Sequence, residues 1–220
     1  MNGKTDYLCT TMKQLMPLLE DFNLNSFDSP EALDIALMEI AKRVLFGGHF
    51  SIDSQLDVYP CDIEFYCHSD KSDAPKWKKD FGMYHTGDLP YFPKCSLFPH
   101  SSGIDFRFED ESEQFRASFL IRGYEFYDAN TRTDKEKHGI ISNPTYLWED
   151  LFGSCRFDGH GLNIKWVDEP LKEGTPQLDV RFNLCKYDDH YKPTIPGPND
   201  EPMKGRKNRV QDPKRWRFKR

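Results

Sequence analysis

Residues 29–46 carry both ends of an amphipathic helix in plain form. Ser29 supplies the cap, Pro30 the first turn and Glu31 a charge suited to the positive end, while Leu33, Ala36, Leu37, Ile40, Ala41 and Val44 keep one face apolar until Gly47-Gly48 stops the run. Beyond Gly48 the period changes. Short β-favouring runs at 49–52, 57–67, 103–109, 114–122, 162–168 and 177–184 are divided by turn residues. Helices first and strands afterwards predict an α+β chain in which residues 1–48 pack on a main domain spanning 49–220. A length of 220 residues suits one domain with a sizeable core.

Local signals fill in the rest. Residues 8–22 read as a helix broken or kinked near Pro17. Residues 103–122 read as a hairpin whose acidic turn, Glu109-Asp110-Glu111-Ser112-Glu113, is solvated. Residues 69–75 and 128–138 read as loops, 87–90 as a turn, and 143–152 as a short helix beginning near Pro144. Prolines 193, 196, 198 and 202 mark 192–203 as an extended segment leading to a basic end at 204–220.

Composition narrows the class of function. With 37% hydrophobic and 30% charged residues and no long apolar run, the chain reads as soluble, and a start lacking basic-then-apolar order predicts a cytoplasmic location. Six scattered cysteines read as reduced, mostly buried thiols. Cys61, Cys67 and His68 have no usual zinc spacing, so no metal is expected. The formal net charge is −6, which opposes general nucleic-acid binding, yet nine Lys/Arg against Asp212 give 204–220 a local +8 on a body near −14. Such an end either contacts phosphates or docks on its own acidic body.

The stretch Ile63-Glu64-Phe65-Tyr66 is where chemistry concentrates. Period-2 alternation puts Glu64 and Tyr66 on one face, offering a general base beside a stacking ring if that face lines a pocket. Asp62-Ile63-Glu64-Phe65-Tyr66, Ser102-Gly103-Ile104-Asp105-Phe106, Phe119-Leu120-Ile121-Arg122-Gly123 and Trp216-Arg217-Phe218, in that order, resemble the motifs of the alkyladenine (3-methyladenine) DNA glycosylase family. The resemblance covers about residues 49–220. It implies a single domain with a curved, mostly antiparallel sheet preceded by helices.

It also implies roles. Glu64 matches the family's activator of the hydrolytic water and Tyr66 its ring stacked on the extruded base, the two needs of an enzyme that must flip a base before cutting its glycosidic bond. Arg122 stands where the family has an Arg near the water, and Asp105 where it has an Asn that excludes the wrong purine. Asp105 thus departs from the pattern and adds a second carboxylate, which Arg122 can offset by pairing with either acid. The family's base-stacking His has no equivalent in Asp73-Ala74-Pro75-Lys76, and of the nearby histidines His100 is placed at the pocket mouth. Tyr91, Phe92 and Phe98 occupy the stretch of the family's intercalating Tyr, with Phe98 taken as substrate-binding. Lys214-Arg215-Trp216-Arg217-Phe218 is similar to a closing Arg-Phe strand, alternating Trp216 and Phe218 against Arg217, and Lys214, Arg215 and Arg217 are the candidate DNA contacts.

Three readings follow. The first is a monomeric, cofactor-free DNA glycosylase of base-excision repair that flips a damaged purine and hydrolyses its N-glycosidic bond through Glu64. The second is a non-catalytic relative binding nucleic acid, a nucleotide or a protein in the same cleft. The third is an acid hydrolase of small N-glycosides pairing Glu64 with Asp105.

Overall fold

The computed structural model describes residues 14–80, 82–83, 89–100, 102–128, 140–147, 163–181, 185–187, 209–211 and 214–220. Two helices come first, α1 (Leu15–Glu20) and α2 (Pro30–Phe46), with a single 3-10 turn between them at Leu24–Ser26. The Ser29 hydroxyl accepts the Ala32 N–H at 3.2 Å, and the Gly47 N–H closes the last turn onto the Arg43 carbonyl. Leu33, Leu37, Ile40, Ala41 and Val44 are buried along one face. Pro17 does not break its helix: α1 begins at Leu15, so the proline lies in the first turn, where a missing N–H removes no intrahelical bond. Residues 8–13 lie outside the described part.

The strands are β1 (Gly48–Ile52), β2 (Leu56–Ser69), β3 (Ser96–His100), β4 (Gly103–Arg107), β5 (Phe115–Asp128), β6 (Ile164–Asp168), β7 (Gln177–Asp179), β8 (Cys185–Tyr187), β9 (Arg209–Gln211) and β10 (Arg217–Lys219). Eight of them form one curled antiparallel sheet in the order β3-β4-β5-β2-β1-β6, with β10 joining β2 to β7, while β8 and β9 pair separately. The molecule is therefore α+β. β2 is its spine. β5 pairs along its full length on one side, and on the other β1 takes Leu56–Val58 and β10 takes Asp62–Glu64.

One face of the sheet makes the core. Ile63, Phe65 and Cys67 of β2, Phe119 and Ile121 of β5, Ile104 and Phe106 of β4 and Phe218 of β10 are buried together with the apolar face of α2. Aromatic edges fit against faces here: Phe65 meets Phe108, Phe119 and Phe218 at steep angles. The opposite face is polar and charged. Cys67 is on the core face and His68 on the polar one, so the trio Cys61, Cys67 and His68 does not share a surface.

Three expectations are corrected. Ser96–His100, which is absent from the expected strands, is a strand that pairs with β4 through every residue. Glu109 is buried rather than solvated, since Arg107 Nη1 donates to it at 2.9 Å and Arg116 lies 3.6 Å away. β5 runs on to Asp128, past the expected end at 122, because it follows β2 back to Leu56. Most of 128–138, 148–152, 182–184 and the Pro-rich 192–203 lie outside the described residues, as do 87 and 88 of the expected turn.

Candidate functional site

The site is built from the polar face where β2, β5 and β4 run side by side. Glu64 faces Leu120 of β5, which faces Asp105 of β4, so the two carboxylates project from the same face two strands apart. The next row is Tyr66, Ser118 and Arg107. Alternation alone fixes this arrangement once the register is set, since a one-residue slip would send Glu64 into the core.

Glu64 is fully buried, at 0% exposure. Its Oε2 accepts from the Tyr66 hydroxyl at 2.9 Å and from Arg122 Nη1 at 2.8 Å. Two consecutive register shifts bring Arg122 there. Asp62 pairs with Gly123 but Ile63 pairs with Ile121, so Arg122 falls at an irregularity that re-aims it along the strand. Arg122 thus pairs with Glu64, and Asp105 takes other neighbours: His100 Nε2 lies 3.2 Å from Asp105 Oδ1, and the Ser118 hydroxyl lies 3.5 Å from Oδ2.

Tyr66 is held from two sides. Burial, then the Glu64 charge and its hydrogen bond, push the phenol well above its ordinary pKa, so it stays a donor to Glu64. Arg181 lies over its ring at 5.1 Å and over the Trp216 ring at 5.4 Å. Arg181 itself donates twice to Asp80, at 2.6 and 2.9 Å, and once to the Phe65 carbonyl at 3.2 Å. Burial raises the Asp80 pKa, but the Arg181 hydrogen bonds and charge outweigh it and hold the carboxyl below its ordinary value.

Phe98 and His100 sit on β3, at the rim of this region, with their rings stacked 5.9 Å apart. Phe98 and Phe92 flank the Arg107 guanidinium at 3.8 and 4.1 Å. Tyr91 stacks on Arg116 at 4.0 Å and donates to Asp70 at 2.6 Å. All three aromatics are thereby engaged in holding the 91–98 segment onto buried arginines.

The basic end closes on the acidic body where it is described. Arg217 donates to Asp62 through Nε and Nη2, Lys219 to Asp179 and Arg220 to Glu125. The Asp62 hydrogen bond raises the Arg217 pKa against its burial. Trp216 and Phe218 are buried and Arg217 lies on the polar face, as alternation requires; the Trp216 indole donates to Asp34 of α2 at 2.7 Å. Lys214 Nζ stands 4.2 Å over the Trp216 ring, and Arg215 is exposed.

Sequence reasoning missed four residues that shape the site: Ser118, Arg107, Asp80 and Arg181. Ser118 and Arg107 were available from alternation, as the partners two residues from Leu120 and Asp105. Asp80 and Arg181 lie 101 residues apart in irregular chain and leave no local signal. Among known proteins, the chain matches no family model, no curated protein sequence and no solved structure.

Proposed function

We propose that the chain hydrolyses the N-glycosidic bond of a nucleobase extruded from DNA, with Glu64 as general base. The observation that carries this reading is the convergence of a phenol and a guanidinium on one oxygen of a buried carboxylate, with a second carboxylate two strands away. Two donors on Oε2 fix the carboxylate's orientation, and Arg122 compensates its charge in a site closed to solvent. In the reaction the water oxygen bonds to the sugar carbon, its proton passes to Glu64, and the electron pair of the breaking C–N bond leaves on the base. Tyr66 presents an aromatic face to the base, and the exposed Arg215 supplies a cation for the strand, whereas the Lys214 ammonium is buried over Trp216 and faces inward.

The test uses duplexes carrying an alkylated purine, hypoxanthine or ethenoadenine, scored as abasic sites. The wild type leaves such sites, and Glu64→Gln loses about 10²- to 10⁴-fold in rate, the range of a positioned general base. No abasic sites on any duplex refutes hydrolysis.

A specific observation favours a second reading, binding without catalysis: Glu64 has no exposed surface, and Arg217, Lys219 and Arg220 are matched by the chain's own acids. Salt dependence separates the readings. Phosphate contacts give a slope of several in a log–log plot of duplex affinity against salt, and a flat response points to another partner.

A further inference from the structure

Asn143-Pro144-Thr145-Tyr146 forms a reverse turn that supplies nothing to the Glu64 cluster. Asn at the first position and Pro at the second favour a type I turn, because the proline ring fixes φ and the Asn side chain bonds to the backbone two residues on. Both bonds are made. The Tyr146 N–H donates to the Asn143 carbonyl at 3.1 Å, and Asn143 Oδ1 accepts from the Thr145 N–H at 3.2 Å and from its hydroxyl at 2.8 Å. The turn is also pinned from beneath. Pro144 packs so closely on Gly103 that a Cβ there would stand 2.9 Å from Pro144 Cβ, and Leu147 is buried in the core. Between these two anchors the Tyr146 ring is turned outward and is 49% exposed.

The chain leading into the turn has a second hydrogen-bonding side. Ile141 exchanges both of its backbone hydrogen bonds with Tyr124 of β5, each at 2.9 Å. In an extended chain the peptide groups of successive residues point to opposite sides, so those of Ile140 and Ser142 are directed away from β5. Both residues are exposed, Ile140 at 58%. An extended stretch with outward peptide groups, then a preformed turn, then an outward phenol is a ligand suited to strand addition of the PTB type. In that mode main-chain bonds to the extended part give affinity, and pockets for side chains give specificity. We infer that residues 140–146 are a docking segment for a partner protein of this kind, one with an open sheet edge and an adjoining pocket for an unmodified tyrosine. The turn is already ordered, so binding does not have to order it, and Ile140 adds apolar contact beside the main-chain bonds. The inference is independent of base hydrolysis.

The probe is a purified PTB domain selected for unphosphorylated Asn-Pro-x-Tyr peptides, titrated calorimetrically into the full chain. The wild type should bind with a Kd of about micromolar order, as transient contacts of modest area do. Tyr146→Ala should weaken binding roughly 30-fold, the size of a tyrosine anchor, and Asn143→Ala about five-fold through loss of the turn's side-chain bonds. No binding by the wild type, unchanged binding by Tyr146→Ala, or binding that appears only after Tyr146 is phosphorylated overturns the inference. Where circular dichroism shows a variant unfolded, hydrogen exchange on the wild-type complex replaces it. The amides of Ile140 and Ser142 should then gain protection in the complex, and protection confined to other segments overturns the inference.

Discussion

Replacing Asp80 by Asn isolates the most deeply buried ion pair beside the site. Asp80 and Arg181 are both at 0% exposure, joined by two hydrogen bonds of 2.6 and 2.9 Å, and Asp80 also accepts the Cys67 N–H at 3.1 Å and the Gly82 N–H at 2.9 Å. The amide keeps the shape but strands the Arg181 charge in the interior. Breaking one half of such a pair costs about 3–5 kcal/mol, which for a urea slope near 3 kcal/mol/M lowers the unfolding midpoint by roughly 1–2 M. The pH dependence gives an independent check. The folded Asp80 pKa lies below the unfolded value of about 3.9, so the group's contribution is present above that value and is lost as pH falls through the folded pKa. Asp80→Asn should therefore lose stability at neutral pH and show a shallower acid limb below about pH 4. Replacing both partners, as Asp80→Asn with Arg181→Met, should recover most of the loss, because no unpaired charge is left. A midpoint shift worth under about 1 kcal/mol, with an unchanged acid limb, would refute the reasoning.

Gly103 has φ of +136°, and a Cβ there would stand 2.9 Å from Leu120 Cδ1 and 3.1 Å from the Pro144 carbonyl. Gly103→Ala should cost about 1–3 kcal/mol, a fall of roughly 3–10 °C in Tm by calorimetry. Burial pushes the thiols of Cys61 and Cys95 up to about 11 and that of Cys67 higher still, the nearby Arg220 offsetting part of the effect at Cys61. Peptide mapping after brief iodoacetamide treatment at about pH 8 should find these three unmodified in the native protein and alkylated in urea, and equal labelling in both states contradicts it.

The parts of this fold legible in sequence are those written in local periodicity. Ser29, Pro30 and Gly47 mark α2 because caps are chemical events at single positions, and alternation placed Glu64 beside Tyr66, and Arg217 opposite Trp216 and Phe218, before any partner strand was known. What escaped depends on register. Arg122 reaches Glu64 through irregular pairing between Asp62 and Ile63, which no pattern of types announces. Glu109 read as solvated because its neighbours in sequence are acidic; Arg107 and Arg116, on the two flanking strands, make it interior. β3 was obscured by Pro99, which an edge strand tolerates because a residue there can lack an N–H without leaving a second neighbour unpaired.

The way β2 is flanked sets an order of assembly. Its Asp62–Glu64 segment is completed on one side by β10, whose Arg217 lies 155 residues from Asp62 along the chain. Closing so long a loop is slow compared with forming the β4-β5 hairpin, so the acid at the centre of the site acquires its last neighbours late in folding. Until then the strand bearing Glu64 has an open edge able to template pairing with another chain. A pulse of hydrogen exchange during refolding would find the Phe65 amide, which donates to the Trp216 carbonyl at 2.8 Å, protected after the amides shared by β4 and β5.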